Sequence, residues 1–244
     1  MSGPRVSVCM ATYNGERFVR AQVASILDEL QPQDELVIVD DASRDSTVRV
    51  LQGIDDPRVI VRAREVNRGY VRTFEEAISL ATGDIILLSD QDDVWVPGRR
   101  ELFVAALAEA EVAASNLELL DSGDPLPHPI TRRPWRLRAD QSAQGLRNNL
   151  RILAGVAPYY GCAMGFRRDV RERILPFPGL LTESHDLWIA LFGNAHRTMR
   201  HIESVTIRRR IHDANASPSR PRGIGPVLKA RVMLLRAWVT ARSR

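Results

Sequence analysis

An α/β fold, with a mainly parallel central sheet flanked by helices, is predicted by three observations. Short apolar runs of strand length alternate with segments of helical apolar spacing from Arg5 to about Leu119. Several of these runs, Leu36 to Val39 and Ile85 to Leu88 among them, are apolar throughout, as strands covered on both faces are. Acidic or polar clusters follow three of the runs, at the strand ends where open α/β sheets bind ligands.

Taken in order, Val6 to Met10 is a first strand, and Arg17 to Leu30 places Val19, Val23, Ile26, Leu27 and Leu30 at helical spacing. Leu36 to Val39 is a second strand ending in Asp40 and Asp41, and a short helix begins at Ser46 with Asp45 or Ser43 available as its cap. Val59 to Val61 is a third strand. Val71, Phe74, Ile78 and Ala81 mark the next helix, which Gly83 closes before the strand at Ile85. After Pro97 a helix with Leu102, Phe103, Ala106 and Leu107 on one face leads to a strand at Val112 to Leu119. Residues 121–140 hold four prolines and read as a long loop. A helix near Leu146 to Leu153, a small-residue strand Tyr160 to Phe166 and a helix from His185 to about Phe192 complete the pattern, with no internal repeat.

At 244 residues, 44% hydrophobic and 26% charged, the chain can bury a sizeable core. No apolar run approaches the roughly 20 residues of a transmembrane helix, and the N-terminus enters a strand without a signal-peptide apolar region, so a cytoplasmic location is expected. Cys9 and Cys162 lie in apolar surroundings without CxxC or Cys/His spacing, which suggests neither a zinc site nor a disulfide framework; both read as core residues. The net charge of +4 would suit an anionic partner, but the sole lysine is Lys229 and no nucleic-acid-binding motif accompanies the charge. Nucleic acid is therefore not an expected partner.

The chemistry is most legible where Ile85 to Leu88 runs into Ser89-Asp90-Gln91-Asp92-Asp93-Val94-Trp95. Three carboxylates in four positions repel one another unless a cation or donors offset them, and their plainest use is to hold a divalent metal. Mg²⁺ takes one or two carboxylates, with water and substrate phosphates completing its shell. A solvated acidic turn is the competing reading, weakened by the apolar strand before and by Val94 to Pro97 after. Thr12-Tyr13-Asn14-Gly15 and Asp40-Asp41-Ala42-Ser43 end the first two strands, so all three clusters converge on one crevice in a parallel sheet. Such a crevice suits a nucleotide. Asp186, at a helix start, reads equally as a carboxylate stabilised by the helix dipole. Trp95 and Trp188 read as packing residues, and Tyr159, Tyr160 and Gly161 either border an acceptor or belong to a core strand.

Four ordered motifs carry a resemblance: Val6-Ser7-Val8-Cys9-Met10-Ala11-Thr12-Tyr13-Asn14-Gly15, Val39-Asp40-Asp41-Ala42-Ser43, Asn67-Arg68-Gly69 and Leu88 to Trp95. Together they resemble family 2 glycosyltransferases of the GT-A (Rossmann-like) fold, and the wording SDQDDVW resembles bacterial polysaccharide rhamnosyltransferases. The resemblance implies that Thr12, Tyr13 and Asp41 serve the nucleotide, with Arg68 near the diphosphate. Asp90 and Asp92 would be the DxD pair, Asp90 contacting ribose and Asp92 ligating Mg²⁺ or Mn²⁺. Glu183-Ser184-His185-Asp186 is similar to the family's acidic motif, which makes Asp186 the catalytic base. Arg210-Ile211-His212-Asp213-Ala214-Asn215 is similar to its RxHxxN element, with Arg210 and His212 on the diphosphate. One position departs: an aromatic ordinarily precedes that arginine, and here Arg209 does.

The implied activity is inverting transfer of a sugar, rhamnose by the closest wording, from a nucleotide-diphosphate donor to a hydroxyl of a bacterial cell-surface glycan or lipid-linked glycan. Residues 1–225 form the GT-A domain in this reading, with 1–119 as the nucleotide-sugar-binding half and 120–225 as the acceptor half. Residues 226–244 form a terminal basic amphipathic helix, which either packs on the domain or lies on an anionic membrane surface at the inner face of the cell membrane. Two other classes compete. A phosphoacceptor receiver would have an acidic pair like Asp40 and Asp41 but needs a lysine that is missing. A non-catalytic sugar-nucleotide-binding protein would share the binding motifs without turnover.

Overall fold

The computed structural model describes residues 3–212 and 223–244. The first half alternates as expected: β1 (Val6–Thr12), α1 (Val19–Leu27), β2 (Glu35–Asp40), α2 (Thr47–Gln52), β3 (Val59–Ala63), α3 (Tyr70–Leu80), β4 (Ile85–Ser89), β5 (Val94–Trp95), α4 (Arg99–Glu109) and β6 (Val112–Leu119). There follow α5 (Gly145–Ala154), β7 (Met164–Arg167), α6 (Arg171–Ile174), α7 (His185–Ala195), β8 (Met199–Arg209) and α8 (Ile224–Ala241). Eight strands form one sheet in the order β3-β2-β1-β4-β7-β6-β8-β5. The β3-β2-β1-β4 block and the β6-β8 pair are parallel, while β7 runs antiparallel to both its neighbours and β5 antiparallel to β8.

Both faces of the parallel block are covered, which is why its strands show little polar alternation. Val6, Val8 and Met10 of β1 pack with Val19, Val23 and Ile26 of α1 and with Phe103 of α4. On the other face Cys9, Val39 and Leu88 meet Phe74 and Ile78 of α3 and the apolar body of α7. In α7 every residue from Trp188 to Phe192 is fully buried, each large side chain stabilising by about 1.5–3 kcal/mol on transfer from water. Trp95 and Trp188 are packing residues as expected, and both cysteines are buried thiols.

Three sequence expectations change. The strand expected over Tyr160 to Phe166 is a short 3₁₀ turn at Gly161–Ala163 followed by β7. Gly165 there lies so close to β4 that an added Cβ would sit 2.9 Å from the backbone oxygen of Ile86, so a side chain at this position would force the strands apart. The eleven-residue β8 and the two-residue β5 were not expected. In β8 the register against β6 shifts at Ser115 and Asn116, and such an irregularity breaks the period-2 pattern from which strands are read. The helix after Pro97 buries Arg99 and Arg100 together with Phe103 and Leu107. The Arg99 guanidinium donates to Leu88 O, Cys162 O and Thr206 Oγ1 between the rings of Trp95 and Phe103, tying β4, the 3₁₀ turn and β8 together.

The terminal helix packs on the domain through Leu234, Ala237 and Ala241, a spacing of three and four residues that makes one helical face. Leu228, Val232, Leu235 and Val239 are 64, 50, 48 and 64% exposed on another. Among the described residues no helix is long and apolar enough to cross a membrane.

Candidate active site

The parallel register aligns Thr12 with Asp40 and Met10 with Ser89, so the segments after β1, β2 and β4 share one edge of the sheet. Thr12 is buried and its hydroxyl donates to Asp40 Oδ2 at 2.8 Å. Asp40 also accepts from the backbone N–H and hydroxyl of Ser43. Thr12, expected to serve the nucleotide, thus spends its hydroxyl on holding the two loops together. Gln91 bonds both backbone groups of Tyr13. This contact requires glycine at position 15, since a Cβ there would fall 2.2 Å from Gln91 Oε1. The Tyr13 ring is left 42% exposed at the crevice rim.

Asp41 is buried, and its carboxylate accepts the backbone N–H groups of Arg68 and Gly69 at 2.9 and 2.8 Å and the Arg64 guanidinium at 3.2 Å. Asn67 donates to Asp41 O. Asp41 therefore builds the Asn67-Arg68-Gly69 turn and leaves the Arg68 side chain exposed beside the crevice. Asn14, Ala42 and Ser184 take the left-handed conformation, with φ of 49°, 64° and 63°. Such strain in non-glycine residues gathers at functional sites; Asn14 and Ala42 adjoin Tyr13 and Asp41, and Ser184 lies two residues before Asp186.

Asp90, Asp93 and Cys162 offer ligand atoms within 4.8 Å of one another. Burial, then repulsion by the neighbouring carboxylates, pushes Asp90 up to about 8 and Asp93 up to about 6. Asp93 Oδ1 accepts the Arg210 N–H at 3.1 Å, and its Oδ2 is buried without a protein partner. The Asp92 carboxylate turns instead to His212, with Oδ2 and Nε2 2.8 Å apart. Asp92 O accepts from Arg210 Nε. The Phe18 ring stacks on His212 at 4.5 Å and lies under the Arg210 guanidinium. The structure thus brings Arg210 and His212 to the acidic cluster; Asp213, Ala214 and Asn215 of the same motif lie outside the described residues.

A divalent cation fits this donor set. Burial and mutual repulsion make Asp90 and Asp93 hold protons more tightly than usual, the buried Asp93 Oδ2 has no protein partner, and carboxylate oxygens are hard ligands of the kind Mg²⁺ and Mn²⁺ prefer. Burial drives the Cys162 thiol well above its usual range, which disfavours the thiolate a metal would need. Sequence reading counted Asp93 in the acidic cluster without giving it a role, and it took Arg209 only as a departure from the motif. The Arg209 guanidinium lies 5.0 Å from the Tyr160 ring centre and its charge acts on Asp90, Asp93 and Asp186. The departure from the motif at position 209 thus supplies a cation to the crevice.

Asp186 opens α7. His185 beside it is buried, stacked 4.2 Å from Phe74, with neither ring nitrogen hydrogen-bonded, and burial lowers its pKa to about 3. A neutral imidazole there is packing, and it fixes the helix start. Asp186 Oδ1 accepts the Leu187 N–H at 2.8 Å, yet burial outweighs such bonds and raises the carboxyl to about 6. Its charge in turn contributes to raising Asp90, so the two carboxyls lie near each other. Among the residues expected from sequence, Tyr13, Arg68, Asp90, Asp92, Asp186, Arg210 and His212 border this crevice, while Thr12 and Asp41 support it from behind.

The fold is shared with solved structures. S. aureus TarS (residues 1–349), solved with UDP-GlcNAc, superposes with a TM-score of 0.69 at 18% identity, over 95% of this chain and 66% of that one. The UDP complex of the same protein gives 0.65 over 86% and 61%. Among curated relatives, the putative glycosyltransferase EpsE of Bacillus subtilis is 37% identical over 43% of this chain and 39% of its own length. An E. coli protein named UDP-Glc:alpha-D-GlcNAc-diphosphoundecaprenol beta-1,3-glucosyltransferase WfgD is 26% identical over 48% and 47%. The chain thus spans about half or less of the length of these curated relatives. Residues 7–175, from within β1 through the acidic crevice and β7, match the family described as Glycosyl transferase family 2, and the GT-A arrangement of sheet and carboxylates accords with that match: the chain belongs to glycosyl transferase family 2.

Proposed function

We propose that this protein is an inverting glycosyltransferase that moves a sugar from a nucleotide-diphosphate donor to a hydroxyl of a bacterial cell-surface glycan. One observation carries the reading: Asp186, with its pKa raised to about 6, shares a crevice with the Asp90 and Asp92 pair. A base poised near neutrality is matched to taking a proton. Asp186 accepts the acceptor hydroxyl proton as the new C–O bond forms, and the anomeric carbon's bond to phosphate breaks on the opposite side. Tyr13 contacts the nucleotide's base, Asp41 presents the turn bearing Arg68, and Arg68, Arg210 and His212 face the departing diphosphate. A Mg²⁺ or Mn²⁺ ion held by Asp92, with Asp90 beside it on the ribose, would offset the leaving charge.

Support for a nucleotide-sugar donor comes from the ligands of TarS and the name of WfgD. Rhamnose is our proposed sugar, on the SDQDDVW wording. A deoxysugar pocket should present an apolar wall where the 6-hydroxyl would sit. Competition among TDP-rhamnose, UDP-glucose and UDP-galactose, read as nucleotide release with Mg²⁺ or Mn²⁺, tests both points: preference for a UDP-hexose overturns rhamnose, and release from none overturns the transferase.

The acceptor is proposed to be lipid-linked and met at the inner membrane face, through α8. Seven of the chain's 34 cationic side chains and none of its 30 acidic ones follow residue 213, so the last 31 residues carry +7 and the remainder −3. On α8 the exposed Leu228, Val232, Leu235 and Val239 are spaced by four, three and four residues, one stripe. An apolar stripe flanked only by cations suits an anionic lipid surface.

A further inference from the structure

A cavity of about 250 Å³ opens in the second half of the molecule, between residues 134–137, α5 and residues 156–159. Its volume lies below the range of drug-sized ligand sites, which suits a single sugar ring. Trp135 stands in its wall, held in place by donating Nε1–H to Val156 O at 3.2 Å. Two guanidiniums, Arg136 and Arg151, line it as well, and no lining residue is acidic. Arg151 donates to the Gln141 side chain. Neither arginine has a carboxylate partner among the described residues, whereas Arg64, Arg72, Arg100, Arg138 and Arg208 each do. Deeper in the wall, Tyr159 and His201 satisfy each other at 2.8 Å, so the polar floor is already paired.

The cavity therefore offers charged donors without a carboxylate partner among the described residues, beside a fixed aromatic side chain. An aromatic face is electron-rich and attracts the polarised C–H face of a sugar, and forked guanidiniums match a carboxylate. The place relative to the reaction also matters. The Trp135 ring meets Tyr160 edge-on at 6.1 Å, and Tyr160 carries Arg209, which faces the catalytic carboxylates. The cavity is thus on the Asp186 side of the crevice, one aromatic pair away from it, beyond reach of the reacting hydroxyl.

We propose that this cavity is an accessory acceptor subsite that binds an acidic sugar, its carboxylate on Arg136 and Arg151 and its ring on Trp135. The proposal rests on the transferase reading for the identity of the acceptor, but its test needs no turnover. Saturation-transfer NMR on the full chain with glucuronate, glucose and inorganic phosphate as probes should show glucuronate bound and glucose weaker by about tenfold, the loss of one charge-assisted hydrogen bond. Arg136→Gln with Arg151→Gln should bring glucuronate down to the level of glucose while the melting midpoint holds. Should that pair fail to fold, Arg136→Gln alone, at an exposed position, carries the same expectation at smaller amplitude. Equal signals from glucose and glucuronate, phosphate binding without glucuronate, or glucuronate binding unaffected in the folded variants would each overturn the subsite. Donor hydrolysis, measured separately, reports on the transferase reading alone.

Discussion

Replacing Asp186 by Asn should move activity and stability in opposite directions. The carboxyl rises from 3.8 to about 6 in the folded protein, and each pKa unit corresponds to about 1.4 kcal/mol. Discounted for its partial exposure, the ionised Asp186 costs the fold about 2 kcal/mol at pH 7.5. The sign follows from the direction of the shift. A raised folded pKa favours the fold below the unfolded value of 3.8 and loses that contribution as pH rises through about 6. Asn keeps the size and the acceptor for the Leu187 N–H, so Asp186→Asn should melt about 4–8 °C above the parent at pH 7.5, with the gap closing near pH 4. Turnover should fall by about 10²–10⁴ with nucleotide affinity nearly unchanged, and the parent's kcat should fall below about pH 6. Differential scanning calorimetry at the two pH values and a donor-release assay measure this. If Asp186 were only a helix-terminal carboxylate, its removal would lower stability by about 0.3–1 kcal/mol. A lowered midpoint with normal turnover therefore refutes the assignment and sends the search to Glu183.

The remaining predictions concern the ion and the terminal helix. Asp92→Asn should abolish the metal-dependent part of donor binding with the fold intact; in the parent, a donor at a hundred times its dissociation constant stabilises by about 2.7 kcal/mol. Undiminished turnover by that variant would sink the Asp92 assignment. Deleting α8 would strip Leu234, Ala237 and Ala241 from the core, so the membrane contact is better tested with Leu228→Ser and Leu235→Ser on its exposed face. Each leucine is worth about 1.5–3 kcal/mol on burial, so the pair should weaken binding to anionic liposomes more than tenfold at unchanged melting midpoint, and binding of the parent should fall with salt. Equal liposome binding by parent and double variant would leave α8 as a packing helix.

By itself the sequence determined the βα half of the molecule and the edge where the site lies. Runs such as Leu36 to Val39 and Ile85 to Leu88 are apolar because both sheet faces are covered, and that requirement is written locally, residue by residue. The ends of parallel strands share an edge whatever the loops do, so Tyr13, Asp90 and Asp92 could be placed together from order alone, whereas Arg68 came from the motif resemblance. Asp186 could be named from its motif, but its proton affinity could not, because burial by surrounding segments sets it. Only the tertiary structure decided that Thr12 and Asp41 brace the crevice, since the hydrogen bonds that occupy them come from residues up to 28 positions away. It also decided that Arg209 reaches the acidic cluster and that Asp92 meets His212 across 120 positions. The second half was less legible for the same reason: β7 enters against β4 because Gly165 permits close approach, and β8 is held by partners distant in sequence with a shifted register. Long-range contact of this kind leaves no period in the chain that makes it.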